Sequence, residues 1–81
     1  MSLKTSENYI HHDVVSLMVD NEWSPVRAWR EYLNLTQTDV AQHLGISQSA
    51  YAQQESSDKL RKTSREKIAA ALGINAKLLN I

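Results

Sequence analysis

With 81 residues, the chain is long enough for one domain but not for two. It contains no cysteine, which excludes disulfides and thiolate metal sites and agrees with a cytoplasmic location, and its two glycines are too few for a phosphate-cradling glycine-rich loop. The formal net charge is zero, and no apolar run approaches the roughly 20 residues that span a bilayer, so we expect no membrane contact.

The charges are unevenly distributed along the chain. Residues 1–23 carry one lysine against four acidic residues, and residues 24–55 carry two arginines against three. Residues 56–81, in contrast, carry six basic residues against two acidic ones. A basic C-terminal region suits contacts with phosphate, whereas an acidic N-terminal region does not.

The first predicted element is an N-terminal helix over residues 10–20. Its apolar stripe consists of Ile10, Val14, Leu17 and Met18. We interpret residues 1–23 as an N-terminal extension that contains this helix and residues 24–81 as the domain proper.

Capping residues divide the rest of the chain into helices. Ser24 and Pro25 have the N-cap and first-turn positions of the first domain helix, and Asn34, which tolerates a left-handed conformation, ends it. Thr36 and Asp39 form an acidic variant of the capping box that begins the second.

Later capping residues complete an all-α pattern without strand-like alternation. Gly45 ends the second domain helix, Ser47 caps a third that extends to about Glu55, and Thr63 and Glu66 form a capping box for a fourth. Gly73 ends that helix, and Asn75 caps a short last one. Its apolar residues Leu78, Leu79 and Ile81 either close the core, form a dimer interface, or do both.

The segment Gln37–Ser56, QTDVAQHLGISQSAYAQQES, has the spacing of a helix-turn-helix. A small residue, Ala41, stands where the helices cross, Gly45 suits the turn, and the apolar Ile46 follows it. The other inward positions are Val40, Leu44 and Tyr51. Gln54 departs from the pattern, because an apolar residue is usual there. The alternative interpretation is a generic helical hairpin.

This motif, together with RAWREYLNLTQTDVAQHLGISQSAYAQQE and KIAAALGI, resembles the XRE/Cro family of phage-repressor-type regulators over residues 24–81. The resemblance implies an all-α, five-helix, lambda-repressor-like DNA-binding domain, here with an additional N-terminal helix. It also implies an ion pair between Arg30 and Glu55, and a Gln37 that contacts phosphate and supports Gln48. Asn34 replaces the usual glycine.

The resemblance assigns base reading to Gln48, Ser49 and Gln53, at the start of the third domain helix. Side-chain chemistry agrees, because a glutamine amide matches adenine N6 and N7, serine can bond to any base, and Ala52 is small enough to approach a thymine methyl. The four residues share one outward face. The alternative is a solvated polar surface.

A separate set of residues is expected to contact the DNA backbone. In the family geometry these residues flank the base-reading helix, and they are Thr36, Gln37, Ser57, Arg61 and Lys62. Each ion pair with phosphate adds about one unit to the salt dependence of binding. The alternative is that the basic run is a solvated loop.

We therefore expect a transcription regulator, most simply a repressor, that binds an inverted-repeat operator in double-stranded DNA as a homodimer. One alternative is a HigA-type antitoxin that represses its own operon, because an acidic extension that contacts a toxin partner resembles such antitoxins. Another is a protein-interaction adaptor that does not bind DNA, which the zero net charge favours. No residue set suggests an enzyme or a cofactor.

The N-terminal histidines and Trp29 each have two possible interpretations. His11, His12 and Asp13 suggest a metal site, but adjacent helical residues diverge by about 100°, so we expect none. Trp29 is predicted to pack against the N-terminal helix, near Leu17 or Met18. Its alternative role is a partner-binding patch.

Overall fold

The computed structural model describes residues 12–57 and 59–79. These residues form five α-helices, followed by a short C-terminal 3-10 helix. The α-helices are α1 (His12–Asn21), α2 (Pro25–Tyr32), α3 (Gln37–Leu44), α4 (Gln48–Ser56) and α5 (Lys62–Leu72), and the 3-10 helix is Ala76–Leu79. The predicted all-α fold with an additional N-terminal helix is confirmed. Ile10, His11 and Ile81, on which parts of the sequence interpretation rest, lie outside the described residues.

Local capping explains where most of these helices begin. The Ser24 hydroxyl accepts a hydrogen bond from the Arg27 amide at 3.2 Å, and the Thr36–Asp39 capping box is present in both directions. Ser47 accepts from the third amide of α4 in the same way. Each cap satisfies a backbone N–H that has no partner within its helix.

Residues in the left-handed conformation follow four of the helices, and the first of them is Glu22 after α1, with a φ of 57°. Asn34 has a φ of 61°, Gly45 of 72° and Gly73 of 78°. The predictions for these three positions are confirmed. At Asn34, a residue with a short polar side chain adopts the backbone conformation in which glycine is usual.

The predicted start of α5 is wrong. The helix begins at Lys62, its N-cap is Arg61, and no side chain caps it, so Thr63 and Glu66 form no capping box. Instead, Arg65 stabilises the first turn, because its backbone N–H donates to the Arg61 carbonyl and its guanidinium donates to the Leu60 carbonyl at 2.7 Å.

One hydrophobic core joins all of the helices. Val40, Tyr51 and Ile68 are fully buried, and Val14 of α1 belongs to the same cluster. α1 packs against α2, and the 3-10 helix packs against α2 and α5. Leu78 and Leu79 are buried, so these two residues close the core.

Trp29 connects α2 to the C-terminal 3-10 helix. It is only 6% exposed, its ring meets Tyr32 edge to face, and its indole N–H donates to the Leu78 carbonyl at 3.3 Å. Leu17 and Met18 of α1 pack against the same core. Because Trp29 is buried, its alternative role as an exposed partner-binding patch is wrong.

Candidate nucleic-acid interface

The helix-turn-helix consists of α3, α4 and the turn between them. Ala41 is buried where the two helices meet, and the amide of Ile46 donates to the Ala41 carbonyl at 3.1 Å. Gly45 lies in the left-handed region, and a Cβ added to it would meet no atom within 4 Å. The turn therefore requires glycine for its backbone conformation and not for lack of space.

α4 has a buried face and an exposed face of different chemistry. Tyr51 and Glu55 are buried, whereas Gln48, Ser49 and Gln53 are exposed. Ala52 and Gln54 are half-buried. The structure thus places three of the four predicted base-reading residues on the exposed surface of α4, whereas the fourth, Ala52, is half-buried.

The residues predicted to contact the DNA backbone fall into two groups. Thr36 and Gln37 begin α3, and the Gln37 side-chain oxygen accepts a hydrogen bond from the Gln48 amide. Ser57 ends α4, and Arg61 and Lys62 are exposed at the start of α5, beyond the loop that follows α4. A hydrogen bond therefore links Gln37 to Gln48, one of the residues predicted to read bases. Ser57, Arg61 and Lys62 follow α4 in the chain, and Thr36 directly precedes Gln37.

A buried ion pair holds α4 to α2. Arg30 Nε donates to Glu55 Oε2 at 2.6 Å and Arg30 Nη2 donates to Oε1 at 3.1 Å, so the pair is bidentate. The two residues are 6% and 3% exposed. The ion pair implied by the family resemblance is therefore present, and it is buried.

Two more donors complete the environment of the carboxylate. The Tyr51 hydroxyl donates to Glu55 Oε2 at 2.8 Å, and the Gln37 amide donates to Oε1 at 3.0 Å. Burial alone would raise the pKa of Glu55, but the hydrogen bonds from Arg30, Gln37 and Tyr51 hold it below its ordinary value. Burial, and then the bond to Glu55, raise the pKa of the Tyr51 phenol.

Two hydrogen bonds from side chains to backbone carbonyls also hold these helices together. Arg30 Nη1 donates to the Leu35 carbonyl at 2.8 Å, just before α3, and the Ser24 hydroxyl donates to the Glu55 carbonyl at 2.8 Å. Sequence reasoning identified Ser24 only as a helix cap, and it missed the bonds from Gln37 and Tyr51 to Glu55. The bonds from Ser24 and Gln37 join residues far apart in the chain, so the polar residue types are their only sequence signal. Tyr51 and Glu55, in contrast, are four residues apart on one helix, and that spacing could have indicated their bond.

Neither a metal site nor a membrane segment is found in residues 12–57 and 59–79. No three His, Asp or Glu side chains among them are arranged to hold a metal ion. Their helices are also too short and too polar to cross a bilayer.

Comparison with known proteins identifies one family. Residues 26–79, two thirds of the chain, match a family profile described as helix-turn-helix. Searches of curated proteins and of solved structures gave no significant match. The matched range includes α2 from its second residue, α3 to α5 and the 3-10 helix, and therefore the whole candidate interface.

Replacing Arg30 by methionine should destabilise the fold strongly, because Glu55 would remain buried without its cation. We expect a loss of about 3–5 kcal/mol in the free energy of unfolding. Arg27→Met is the matched control, since Arg27 forms an exposed pair with Glu31 and lies over the Trp23 ring, and it should cost only about 1 kcal/mol. Urea unfolding measures both, and equal losses would contradict the role of the buried pair.

Proposed function

Because the chain belongs to the XRE-type helix-turn-helix family of DNA-binding regulators, we propose that it is a sequence-specific transcription regulator that binds through α4. One observation carries this proposal: Gln48, Ser49 and Gln53 are exposed together, while Tyr51 and Glu55 of the same helix are buried. The buried side fixes the rotation of α4, and the exposed side supplies amide and hydroxyl groups that can bond to base edges.

In this proposal, the N-terminal end of α4 enters the major groove. Gln48 and Gln53 bond to adenines, Ser49 bonds to a neighbouring base, and Ala52 approaches a thymine methyl. The DNA backbone is contacted on both sides of α4. The residues for these contacts are Thr36 and Gln37 on one side and Ser57, Arg61 and Lys62 on the other.

We further infer that two copies bind an inverted repeat, with their α4 helices about 34 Å apart. A single α4 presents only four candidate base-reading residues, which suffice for a short half-site. Two half-sites would multiply the specificity that one copy can provide. Occupation of a promoter by such a dimer would repress transcription.

Specific binding should depend on both glutamines of the exposed face. With the sequence obtained by selection from random duplexes, Gln48→Ala and Gln53→Ala should each weaken binding by about 1–3 kcal/mol. Gln42→Ala is the control, because Gln42 is also exposed but lies on α3, outside the proposed interface. Fluorescence anisotropy measures all three, and wild-type affinity in the Gln48/Gln53 double variant would rule out α4 as the base-reading helix.

The basic residues at the start of α5 should contribute through phosphate alone. Arg61→Ala and Lys62→Ala should each reduce the slope of log affinity against log salt by about 0.9, with equal effects on specific and random duplexes. Lys77→Ala removes an exposed cation from the 3-10 helix and should leave the slope unchanged. If the slope is unchanged in both variants, Arg61 and Lys62 do not contact the DNA backbone.

A second candidate function is that of an antitoxin, and the surface of α1 favours it. Val15 and Val19 are 40% and 70% exposed, one helical turn apart on the same face. Residues 12–23 include Asp13, Asp20 and Glu22 and no lysine or arginine. An apolar face on an acidic helix is complementary to a basic protein partner, such as a toxin encoded beside this chain.

Binding of that partner can be separated from binding of DNA. Val15→Ser with Val19→Ser should abolish co-purification with the product of the adjacent gene, while affinity for the selected duplex stays at the wild-type level. Retained co-purification would exclude this face of α1. Partner binding by a wild-type chain that does not bind DNA even at low salt would instead support the adaptor alternative.

A further inference from the structure

A line of hydrogen bonds connects the buried ion pair to the surface of α4. Glu55 Oε1 accepts from the Gln37 side-chain nitrogen at 3.0 Å, and the Gln37 side-chain oxygen accepts from the side-chain nitrogen of Gln48. Glu55 is buried, Gln37 is half-buried and Gln48 is exposed. The line therefore begins at a fixed charge in the interior and ends at a candidate base-reading residue.

The charge gives this line a direction. An ionised carboxylate only accepts hydrogen bonds, whereas an amide donates at one end and accepts at the other. If the Gln37 amide turned over, its oxygen would face the carboxylate of Glu55, two acceptors would oppose each other, and Oε1 would keep only the Arg30 donor. Gln37 therefore presents oxygen to Gln48, and Gln48 must present nitrogen to Gln37.

This orientation limits what Gln48 can offer to DNA. One of its two amide hydrogens is bound to Gln37, so one N–H and the oxygen remain. Adenine presents an acceptor, N7, and a donor, the N6 amino group, which match this remaining pair. Guanine presents two acceptors, N7 and O6, and the Gln48 oxygen would oppose one of them.

We propose that Glu55, acting through Gln37, fixes the orientation of the Gln48 amide and thereby makes Gln48 select adenine over guanine. The proposal rests on the proposed function, because it assumes that Gln48 contacts a base. Glu55 and Gln37 are positioning residues in this account. Their effect is on the choice of base, beyond their contribution to stability.

The test compares adenine and guanine at the base that faces Gln48. That base is identified as the position of the selected duplex at which the wild type prefers one base and the Gln48→Ala variant does not. Gln37→Met keeps the length of the side chain and leaves the bonds from Arg30 and Tyr51 to Glu55 in place, but frees the Gln48 amide to turn. We expect the ratio of adenine to guanine affinities to fall roughly tenfold in this variant.

Gln53→Met is the matched control. It also replaces a glutamine by methionine, but on the exposed face of α4. Gln53 forms no hydrogen bond with Glu55, Gln37 or Gln48. This variant should weaken binding but leave the ratio at the position facing Gln48 unchanged. An unchanged ratio in folded Gln37→Met would overturn the proposal, while specific binding by the wild type would still support the proposed function. A wild type without sequence preference would contradict both.

A second measurement on the wild type does not depend on the folding of a variant. In the free protein, the side-chain amide hydrogens of Gln37 should exchange with solvent more slowly than those of exposed Gln53, as measured by NMR. Equal exchange would show that Gln37 is not held by Glu55 and would also overturn the proposal.

Discussion

The geometry of the candidate interface depends on the buried ion pair between Arg30 and Glu55. Removing two charges from water costs free energy that their attraction need not recover, so such a pair is weak evidence of stability. Its clearest effect is geometric, because a bidentate contact allows few orientations. Glu55 is on the inner face of α4, so pairing it with α2 determines which residues of α4 face outward. The described residues contain no buried side-chain nitrogen or oxygen without a hydrogen-bond partner.

The rest of the interface follows from that constraint. Tyr51 fills the core one turn before Glu55, and its hydroxyl completes the carboxylate's environment. Gln37 then connects the carboxylate to the surface of α3 and α4. The zero net charge of the chain is compatible with DNA binding, because the basic residues are concentrated after α4 and the acidic excess lies in residues 1–23. The surface that we propose for a protein partner, on α1, lies in that acidic part of the chain.

Features determined by neighbouring residues could be predicted from the sequence. The caps at Ser24 and Thr36 and the left-handed residues Asn34 and Gly45 depend on local backbone conformation, and they were predicted correctly. The start of α5 was not, because it depends on a competition between two local arrangements: the capping box at Thr63 and the bonds from Arg65 to the Arg61 and Leu60 carbonyls. The indole bond of Trp29 to Leu78 spans 49 positions, and no periodicity indicates it. The family resemblance supplied the Arg30–Glu55 pair and the Gln37–Gln48 contact, but not the bond that joins them.

The most direct test of the account is to map the DNA contact surface by NMR. Backbone amide shifts would be followed while a random-sequence duplex, and then a selected one, is added to the full chain. The account predicts that both duplexes perturb residues 36–37, 57 and 61–62, and that the selected duplex adds large shifts at residues 48–53. Shifts confined to α1, or shifts at α4 that do not differ between the duplexes, would contradict it.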